Sequence, residues 1–134
     1  MPMRMNMLKG RIARSKLEEK AAGDYEGLEG ELVQQLQKQG KKVLVGIQHE
    51  EGAYTLLGED GLYYCTIDGE EGVMDYTTLF EAFRVFRFNS FARGYEWMPI
   101  PSAEGTKEKT IWLKDGYVLT ALWNISMYIA GSSS

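Results

Sequence analysis

Three short apolar segments separated by acidic turns dominate the first half of the chain. Residues 42–48, 53–57 and 62–67 are rich in Val, Leu, Ile and Tyr, and the turns at 49–52 and 58–61 combine Glu or Asp with Gly. Apolar runs of about four to eight residues bounded by such turns are typical of β-strands. Strands joined by connections this short run antiparallel to one another. The spacing therefore predicts an antiparallel β-meander.

Apolar residues at helical spacing lie on both sides of this meander. They predict two N-terminal helices, over residues 5–22 and 25–39, and Gly40 is well placed to cap the second one. After the meander, positions 76, 79, 80, 83 and 86 carry large apolar side chains, most of them aromatic. This spacing predicts a helix over residues 75–87 whose aromatic face covers the sheet.

The C-terminal part of the chain has two interpretations. The pair Asp115-Gly116 lies between the apolar residues 111–113 and 117–129, and an Asp-Gly pair in such a position is a strong hairpin signal. Part of the second run also alternates between apolar and polar side chains with a period of two. We therefore expect a closing β-hairpin. A helix that begins after Asp115 is the competing interpretation.

The predicted fold is a single α+β domain with two N-terminal helices, an antiparallel β-meander, one covering aromatic helix and a C-terminal β-hairpin. We expect a basic N-terminal helical segment over residues 1–23, the α+β domain over residues 24–130, and a flexible tail over residues 131–134. The basic segment either packs its apolar residues on the domain or extends to bind an acidic partner, another protomer or RNA.

Charge is unevenly distributed along the chain. Residues 1–20 have a balance of +4, whereas residues 24–75 have a balance of −9. Much of the acid lies in three segments of turn composition, at residues 49–52, 58–61 and 68–72. Such turns either keep a small sheet soluble and unpaired at its edges or attract a basic partner through their field.

Composition disfavours or excludes several classes of function. The net charge of −4 disfavours a generic duplex-DNA binder. One histidine and one cysteine exclude a Cys/His zinc cluster and an intramolecular disulfide, and a lone cysteine suits a reducing compartment. The sequence has no secretory signal, no membrane-spanning apolar stretch and no glycine-rich phosphate loop. We therefore expect a soluble, cytoplasmic protein without a metal or cofactor.

His49 and Cys65 are the side chains most suited to catalysis, and each has a simpler interpretation. His49 adjoins Glu50 and Glu51, so a carboxylate could orient it as a general base, yet charged turn residues also serve solubility. Cys65 lies in a predicted strand without a basic neighbour to activate its thiol, which favours a packing role. We therefore predict no catalytic residue.

The strongest candidate for a binding surface is a strip of arginines and aromatics at and after the end of the aromatic helix. Arginine binds carboxylates and phosphates bidentately, and aromatic side chains stack on planar ligands or enter pockets of a partner. The competing interpretation places the aromatics in the core and the arginines on a solvated helix face. The residues predicted to bind a ligand or partner are Arg84, Arg87, Phe88, Asn89, Phe91, Arg93, Tyr95 and Trp97.

Three hypotheses of function follow. The first is a non-catalytic binding protein that recognises another protein through this strip, in the manner of a bacterial or phage inhibitor or immunity factor. The second is a protein that binds a small anionic or nucleotide-like ligand with the same residues. The third is a hydrolase that uses two facing carboxylates. A homo-oligomer is compatible with the predicted fold, because the expected C-terminal strand could pair across a dimer axis.

Overall fold

The computed structural model describes the backbone of residues 5–89, 96–100 and 109–132. The helices are α1 (Met5–Ser15), α2 (Leu17–Ala21), α3 (Glu31–Lys38), α4 (Tyr76–Asn89) and α5 (Gly116–Ser132). The strands are β1 (Tyr25–Glu26), β2 (Val43–Gln48), β3 (Tyr54–Gly58), β4 (Leu62–Cys65), β5 (Glu71–Met74), β6 (Trp97–Ile100) and β7 (Lys109–Trp112). The first five strands form an antiparallel sheet in chain order, and β6 pairs with β7 in a separate hairpin. The predicted α+β class is confirmed.

The two central strands are buried on both faces of the sheet. Every residue of β3 and all but the last residue of β2 are buried. Because successive side chains of a strand point to opposite faces, both faces must be covered at this place. We call the face covered by α4, α5 and the β6–β7 hairpin the inner face, and the face covered by α3 the outer face.

The main core lies on the inner face. The sheet contributes Val45, Ile47, Leu57, Leu62, Tyr64 and Met74, and α5 contributes Val118, Leu119, Ala121, Leu122, Ile125 and Ile129. The predicted aromatic helix is confirmed as α4, which adds Tyr76, Leu79, Phe83 and Phe86 to the same cluster. Each large apolar side chain buried in this way contributes about 1.5–3 kcal/mol before ordering costs. The inner face therefore supplies most of the apolar stabilisation.

The outer face has a smaller core under α3. Val33 and Leu36 of this helix pack against Val43, Tyr54 and Leu56 of the sheet. The helix has only eight residues, so it is too short to be stable by itself and depends on this packing. It leaves the end of the outer face near β5 uncovered by described residues, as the exposed Val73 indicates.

The closing hairpin predicted for the C-terminus is wrong, because residues 117–129 form part of α5. The Asp115 carboxylate accepts a hydrogen bond from the Val118 backbone N–H at 2.9 Å, which makes Asp115 the N-cap of this helix. Tyr117 and Met127, which a period of two would bury together, are 74% and 55% exposed. The buried positions recur every three or four residues instead, so a helix matches the apolar pattern better.

Residues 25–39 were predicted as one helix, and this prediction is also wrong. β1 takes the first two of these residues, and α3 begins only at Glu31. The buried carboxylate of Glu26 accepts a hydrogen bond from the Val33 backbone N–H at 3.1 Å, near the start of α3. A Cβ on Gly30 would overlap that carboxylate, so a side chain at this position would displace the carboxylate from its present place. A side chain from outside the helix thus satisfies one of its first N–H groups.

The acidic segment at residues 68–72 contributes to a further strand of the meander. β5 pairs with β4 so that Val73 lies opposite Tyr63 and Met74 lies opposite Leu62. Of its four residues only these two are apolar, and one of them is exposed. The strand signal in the sequence is therefore weak. The strand forms because β4 offers it a ladder of backbone hydrogen bonds.

The basic N-terminal segment packs on the domain. Leu8 and Ile12 of α1, and Leu17 and Ala21 of α2, belong to the same core as α5. The single helix predicted for residues 5–22 is interrupted at Lys16, whose φ of 61° lies in the left-handed region. This interruption lets both short helices present their apolar residues to α5.

Lys114 fastens this segment to the C-terminal half of the chain. Its Nζ donates a hydrogen bond of 2.7 Å to the Ala21 carbonyl and another of 2.7 Å to the Asp24 carboxylate. A cation at the C-terminal end of a helix satisfies carbonyl groups that have no partner within the helix. Residues far apart in the sequence are thereby held together at the edge of the core.

The β6–β7 hairpin is attached to the sheet by a buried hydrogen bond. The hydroxyl of Thr55 in β3 donates to the Trp112 carbonyl in β7 at 2.6 Å, and the threonine is fully buried. The backbone N–H of Leu113 also donates to the Glu96 carbonyl at 2.7 Å, which closes the open end of the hairpin. Thr55 is therefore the polar link between the inner face and this hairpin.

We predict that Thr55→Val destabilises the protein, since it removes the donor and leaves the Trp112 carbonyl without this partner. The free energy of unfolding from urea denaturation should fall by about 1–3 kcal/mol. Thr55→Ser keeps the hydroxyl and is the matched control. A valine variant as stable as the serine variant would contradict this role of the hydroxyl.

Candidate functional site

Arg84, the first residue of the predicted arginine and aromatic strip, is exposed on α4 and already has a partner. Its guanidinium donates to the Glu81 carboxylate through Nη2 at 2.6 Å and through Nε at 3.3 Å. These hydrogen bonds raise the pKa of Arg84. An exposed pair one helical turn apart stabilises the helix only weakly. A partner's carboxylate would nevertheless have to displace Glu81 to bind Arg84 bidentately.

The regular aromatic face of α4 points into the core. Tyr76, Phe83 and Phe86 are buried, and the Phe83 ring stacks on Trp123 with 5.4 Å between ring centroids. The interpretation of these helix aromatics as core residues is therefore confirmed. They position the helix and are not available to a partner.

Most of the predicted strip belongs to a part of the chain that the structure does not describe. The last turn of α4 contributes three strip residues whose side chains lie outside the described residues, and three more lie wholly outside them. These six are Arg87, Phe88, Asn89, Phe91, Arg93 and Tyr95. Their role in binding stays a prediction.

Trp97, the last residue of the strip, lies in an aromatic cluster with His49 and Trp112. Trp97 and Trp112 are paired across the hairpin. The His49 ring meets Trp112 edge-on at 4.7 Å between centroids and lies 5.9 Å from Trp97. Trp112 is buried, whereas Trp97 is only half-buried. The cluster therefore joins the hairpin to the beginning of the β2–β3 turn and leaves part of Trp97 at the surface.

His49 and Cys65 have partners that hold them in place. His49 Nδ1 accepts a hydrogen bond from the Glu51 backbone N–H at 3.0 Å, so a backbone group occupies the nitrogen that a carboxylate would orient in a general base. The Cys65 thiol donates to the Thr66 carbonyl at 3.6 Å. Burial, together with the negative charge of Glu71, raises the pKa of this thiol. A thiolate nucleophile is therefore disfavoured at Cys65.

Two acidic turns leave the sheet at the same end. In the register of the meander, Gln48, Tyr54, Cys65 and Glu71 form one row across β2, β3, β4 and β5. The β2–β3 and β4–β5 turns both begin beyond this row. Because adjacent strands lie about 4.8 Å apart, the two turns are close neighbours.

Together these turns form a surface that we call the acidic end. It consists of Glu50 and Glu51 from the β2–β3 turn and Ile67, Asp68 and Glu70 from the β4–β5 turn, all of them exposed. Ile67 is 42% exposed, which is unusual for a large apolar side chain among charges. The Glu70 carboxylate lies 3.6 Å from the ammonium group of the lysine that begins β7. The surface therefore combines negative charge with an apolar centre.

Hydrogen bonds hold both turns in defined conformations. The backbone N–H of Gly52 donates to the His49 carbonyl at 2.9 Å, and the N–H of Gly69 donates to the Thr66 carbonyl at 2.9 Å. The two glycines have φ values of 104° and 89°, which other residues rarely adopt. The Thr66 hydroxyl also accepts the backbone N–H of Glu70 at 3.1 Å. The carboxylates of the acidic end therefore extend from preorganised backbone.

A polar cluster adjoins the acidic end on the outer face of the sheet. The Glu71 carboxylate accepts hydrogen bonds from Lys41 Nζ at 2.8 Å and from the Tyr54 hydroxyl at 2.6 Å. These two bonds lower the pKa of Glu71, whereas burial and the bond to Glu71 raise the pKa of Tyr54. Since Lys41 compensates its charge, Glu71 contributes less to the local negative field than the exposed carboxylates do.

Two depressions lie elsewhere on the described surface. One of about 300 Å³ between α1, α2 and β1 has the charged lining residues Lys9, Lys16, Glu18 and Glu19. The other, of about 350 Å³, has the charged lining residues Glu59, Asp60 and Asp75 near the start of α4. Neither described lining includes Arg84 or Trp97, the two strip residues whose side chains the structure describes. The described lining of the first is balanced in charge, and the described lining of the second contains three carboxylates.

The described residues do not bring three or more His, Cys, Asp or Glu side chains together as a metal site requires. In the same part of the chain, no helix has the length and apolar character needed to cross a bilayer. The acidic end therefore carries its charge without a grouping of the kind that binds a metal.

Only part of the acidic end could be recognised from the sequence. The acidic turns are visible as Glu-Glu-Gly and Asp-Gly-Glu-Glu-Gly, and the meander places alternate turns at one end. The approach of Trp97 to His49 depends on the hairpin, which the sequence did not predict in this form, and the exposure of Ile67 is visible only in the structure. No local signal indicated either feature.

Comparison with known protein families, with characterised proteins and with solved structures finds no match to this chain.

We predict that Glu71 stabilises the protein above the usual glutamate pKa and less so below it. Its pKa is lowered in the folded state, so its contribution is present above the unfolded-state value and is lost as the pH falls through the folded-state value. The difference in unfolding free energy between the wild type and Glu71→Gln should therefore shrink between about pH 7 and about pH 3. Urea denaturation at both pH values measures it.

The matched variant for this prediction is Tyr54→Phe, which removes one of the two hydrogen bonds to Glu71 and keeps the bond from Lys41. It should show a smaller loss on acidification than the wild type, because its Glu71 pKa is closer to the ordinary value. If the difference in unfolding free energy between the wild type and Glu71→Gln grew as the pH falls, the pKa of Glu71 would not be lowered in the folded state.

Proposed function

We propose that the protein is a non-catalytic binding protein that recognises another protein, with the acidic end as the contact surface and Trp97 at its border. The observation that carries this proposal is that two acidic turns share one end of the sheet with an exposed Ile67 and a half-buried tryptophan. Charged rims around apolar or aromatic residues are typical of protein interfaces. The partner is expected to present a basic surface.

The acidic end is suited to fast and selective association. Exposed carboxylates on neighbouring turns create a negative field that attracts a basic partner and raises the association rate, most strongly at low salt. The hydrogen bonds within the turns limit the entropy lost on binding, since the backbone is already ordered. Charge thus supplies steering, and Ile67 and Trp97 supply apolar contact area.

An inhibitor or immunity factor is the class of binding protein that this arrangement supports. Such a protein acts by covering a functional surface of its partner, and a small acidic body can cover a basic one without any chemistry of its own. The proposed setting is the cytoplasm, because the lone cysteine is buried in part and has no disulfide partner in the sequence. We expect from the sequence that Arg87 and Arg93 also contact the partner.

The alternatives have weaker support. The small anionic ligand of the second hypothesis would use the same strip, and the described depression at Lys9 and Lys16 also contains two glutamates, which oppose an anion. For a carboxylate hydrolase, the described depression lined by Asp60 and Asp75 has one of its carboxylates engaged, since Asp60 accepts a hydrogen bond from the Tyr63 hydroxyl at 2.8 Å. We therefore prefer the protein-binding function.

One prediction of the proposed function concerns the acidic end. The double variant Glu50→Lys/Asp68→Lys should lower the association rate with the captured partner by about tenfold or more at low salt, since steering depends on this charge. The immobilised full chain captures proteins from a lysate of the organism that encodes it. Mass spectrometry identifies them, and surface plasmon resonance measures the rates.

Glu18→Lys/Glu19→Lys is the matched control, because it changes the net charge equally at α2, on exposed residues. We expect its association rate to stay within about twofold of the wild type at moderate salt. Equal losses in the two double variants would show that only net charge matters. Loss in neither would overturn the assignment of the acidic end.

The second prediction concerns the arginine and aromatic strip. Arg87→Ala/Arg93→Ala should weaken capture of the same partner by about tenfold, because it removes two guanidinium groups that can bind carboxylates bidentately. Arg84→Ala is the matched control, because the Arg84 guanidinium is engaged by Glu81. Unchanged capture by the double variant would remove these arginines from the proposed surface.

A further inference from the structure

The sheet ends at β5. Among the described residues, no strand pairs with the side of β5 that points away from β4. β5 pairs with β4 on one side, and its residues make no other described backbone hydrogen bond to a strand or loop. The opposite edge strand, β1, has only two residues. β5 is therefore the edge at which the sheet has room for another strand.

The register shows which backbone groups point outward. The Thr66 backbone N–H donates to the Glu70 carbonyl at 2.9 Å, so these two residues form a hydrogen-bonded pair of the antiparallel ladder. Hydrogen-bonded and non-hydrogen-bonded pairs alternate along such a ladder. The pairs of Glu71 and Val73 with β4 are therefore non-hydrogen-bonded ones, and the N–H and C=O groups of these two residues point away from β4.

β5 lacks three of the features that protect exposed edge strands. Proteins blunt such edges with proline, lysine or a bulge, whereas β5 has the sequence Glu-Gly-Val-Met and a regular register. Val73 is 56% exposed on the outer face. Its outward backbone groups and its exposed side chain together form a site for main-chain hydrogen bonds and one apolar contact.

We propose that β5 binds an extended basic segment of the partner protein as a sixth strand of the sheet. This inference rests on the proposed function and specifies how the partner is held. Four backbone groups, from Glu71 and Val73, pair with the segment, and an apolar side chain of the segment packs on Val73. Basic residues at its two ends lie near Asp68 and Glu70 on one side and near Asp75 on the other.

A second copy of this chain does not fit the same edge well. Because only Glu71 and Val73 direct their backbone groups outward, two β5 strands can pair antiparallel about a two-fold axis at Glu71, at Gly72 or at Val73. An axis at Glu71 or at Val73 places Glu71 of one copy opposite Glu71 or Asp75 of the other. An axis at Gly72 places Asp75 of one copy opposite Gly69 of the other, between Asp68 and Glu70. Like charges in direct cross-strand positions are destabilising. A basic segment replaces this repulsion by attraction, which is why we assign the edge to a different protein.

The experiment uses the full-length chain and the peptide acetyl-Lys-Lys-Val-Thr-Val-Lys-Lys-amide as a defined probe. Val73→Pro removes the outward N–H and leaves the ladder to β4 intact, since proline is tolerated on an edge strand when its nitrogen faces solvent. We expect Val73→Pro to weaken peptide binding about tenfold or more. Val73→Ala keeps the N–H and should weaken binding clearly less. Amide chemical shifts of β5 report the binding.

A second measurement keeps the test valid if Val73→Pro fails to fold. The wild-type chain is titrated with two methylated forms of the same peptide, one N-methylated at the odd-numbered residues and the other at the even-numbered residues. Each form has lost the hydrogen-bond donors of one edge and keeps the charge of the peptide. Strand addition requires that one of the two methylated forms binds about tenfold more weakly than the other. Equal binding of both methylated forms, or of Val73→Pro and Val73→Ala, would overturn the inference.

The outcomes also separate this inference from the proposed function. Peptide binding that Glu50→Lys/Asp68→Lys abolishes and Val73→Pro leaves intact would retain the acidic end and reject the sixth strand. Binding with the opposite dependence would support the sixth strand and reject the acidic end as its source of attraction. Binding of a peptide with Glu in place of Lys at equal strength, or no binding of the basic peptide, would overturn the inference.

Discussion

The burial of β2 and β3 on both faces is the constraint on which the rest of the structure depends. A strand whose side chains are apolar on both sides requires a layer above and a layer below it. On the inner face α4, α5 and the β6–β7 hairpin form that layer, and on the outer face α3 does so. Since α3 is short, the outer face is covered over β2 and β3 but not toward β5.

This unequal covering determines where the protein can meet a partner. The inner face is occupied by the chain itself, and the buried link from Thr55 to Trp112 holds the hairpin against it. The same hairpin brings Trp97 next to His49, at the point where the β2–β3 turn begins. Because alternate turns of an antiparallel meander lie at the same end of the sheet, the β4–β5 turn is at this end too. Charge, apolar contact and an open strand edge therefore come close together through the topology.

The candidate site was partly predictable. The apolar face of α4 and the acidity of the turns follow from local pattern, and the structure agrees with both. Arg84 was expected to be available to a ligand, but its neighbour one turn earlier engages it, which a spacing of three residues also allows. The exposure of Val73 could not be predicted, because it depends on how far α3 reaches across the outer face. Apolar residues in strands are ordinarily assigned to the core.

The sequence by itself determined the α+β class, the positions of β2, β3 and β4, and the helix α4, since each depends on local periodicity and turn chemistry. Tertiary structure decided the rest. Asp115-Gly116 serves equally as a hairpin turn or as a helix start, and the space beside α1, α2 and α4 made it the start of α5. In the same way, residues 25–26 form a strand and not a helix, and the Glu26 carboxylate binds the Val33 N–H of α3. The segment Glu-Gly-Val-Met forms a strand because it pairs with β4. Where a segment has similar local propensities for helix and strand, contacts with residues distant in the sequence determine which of the two forms.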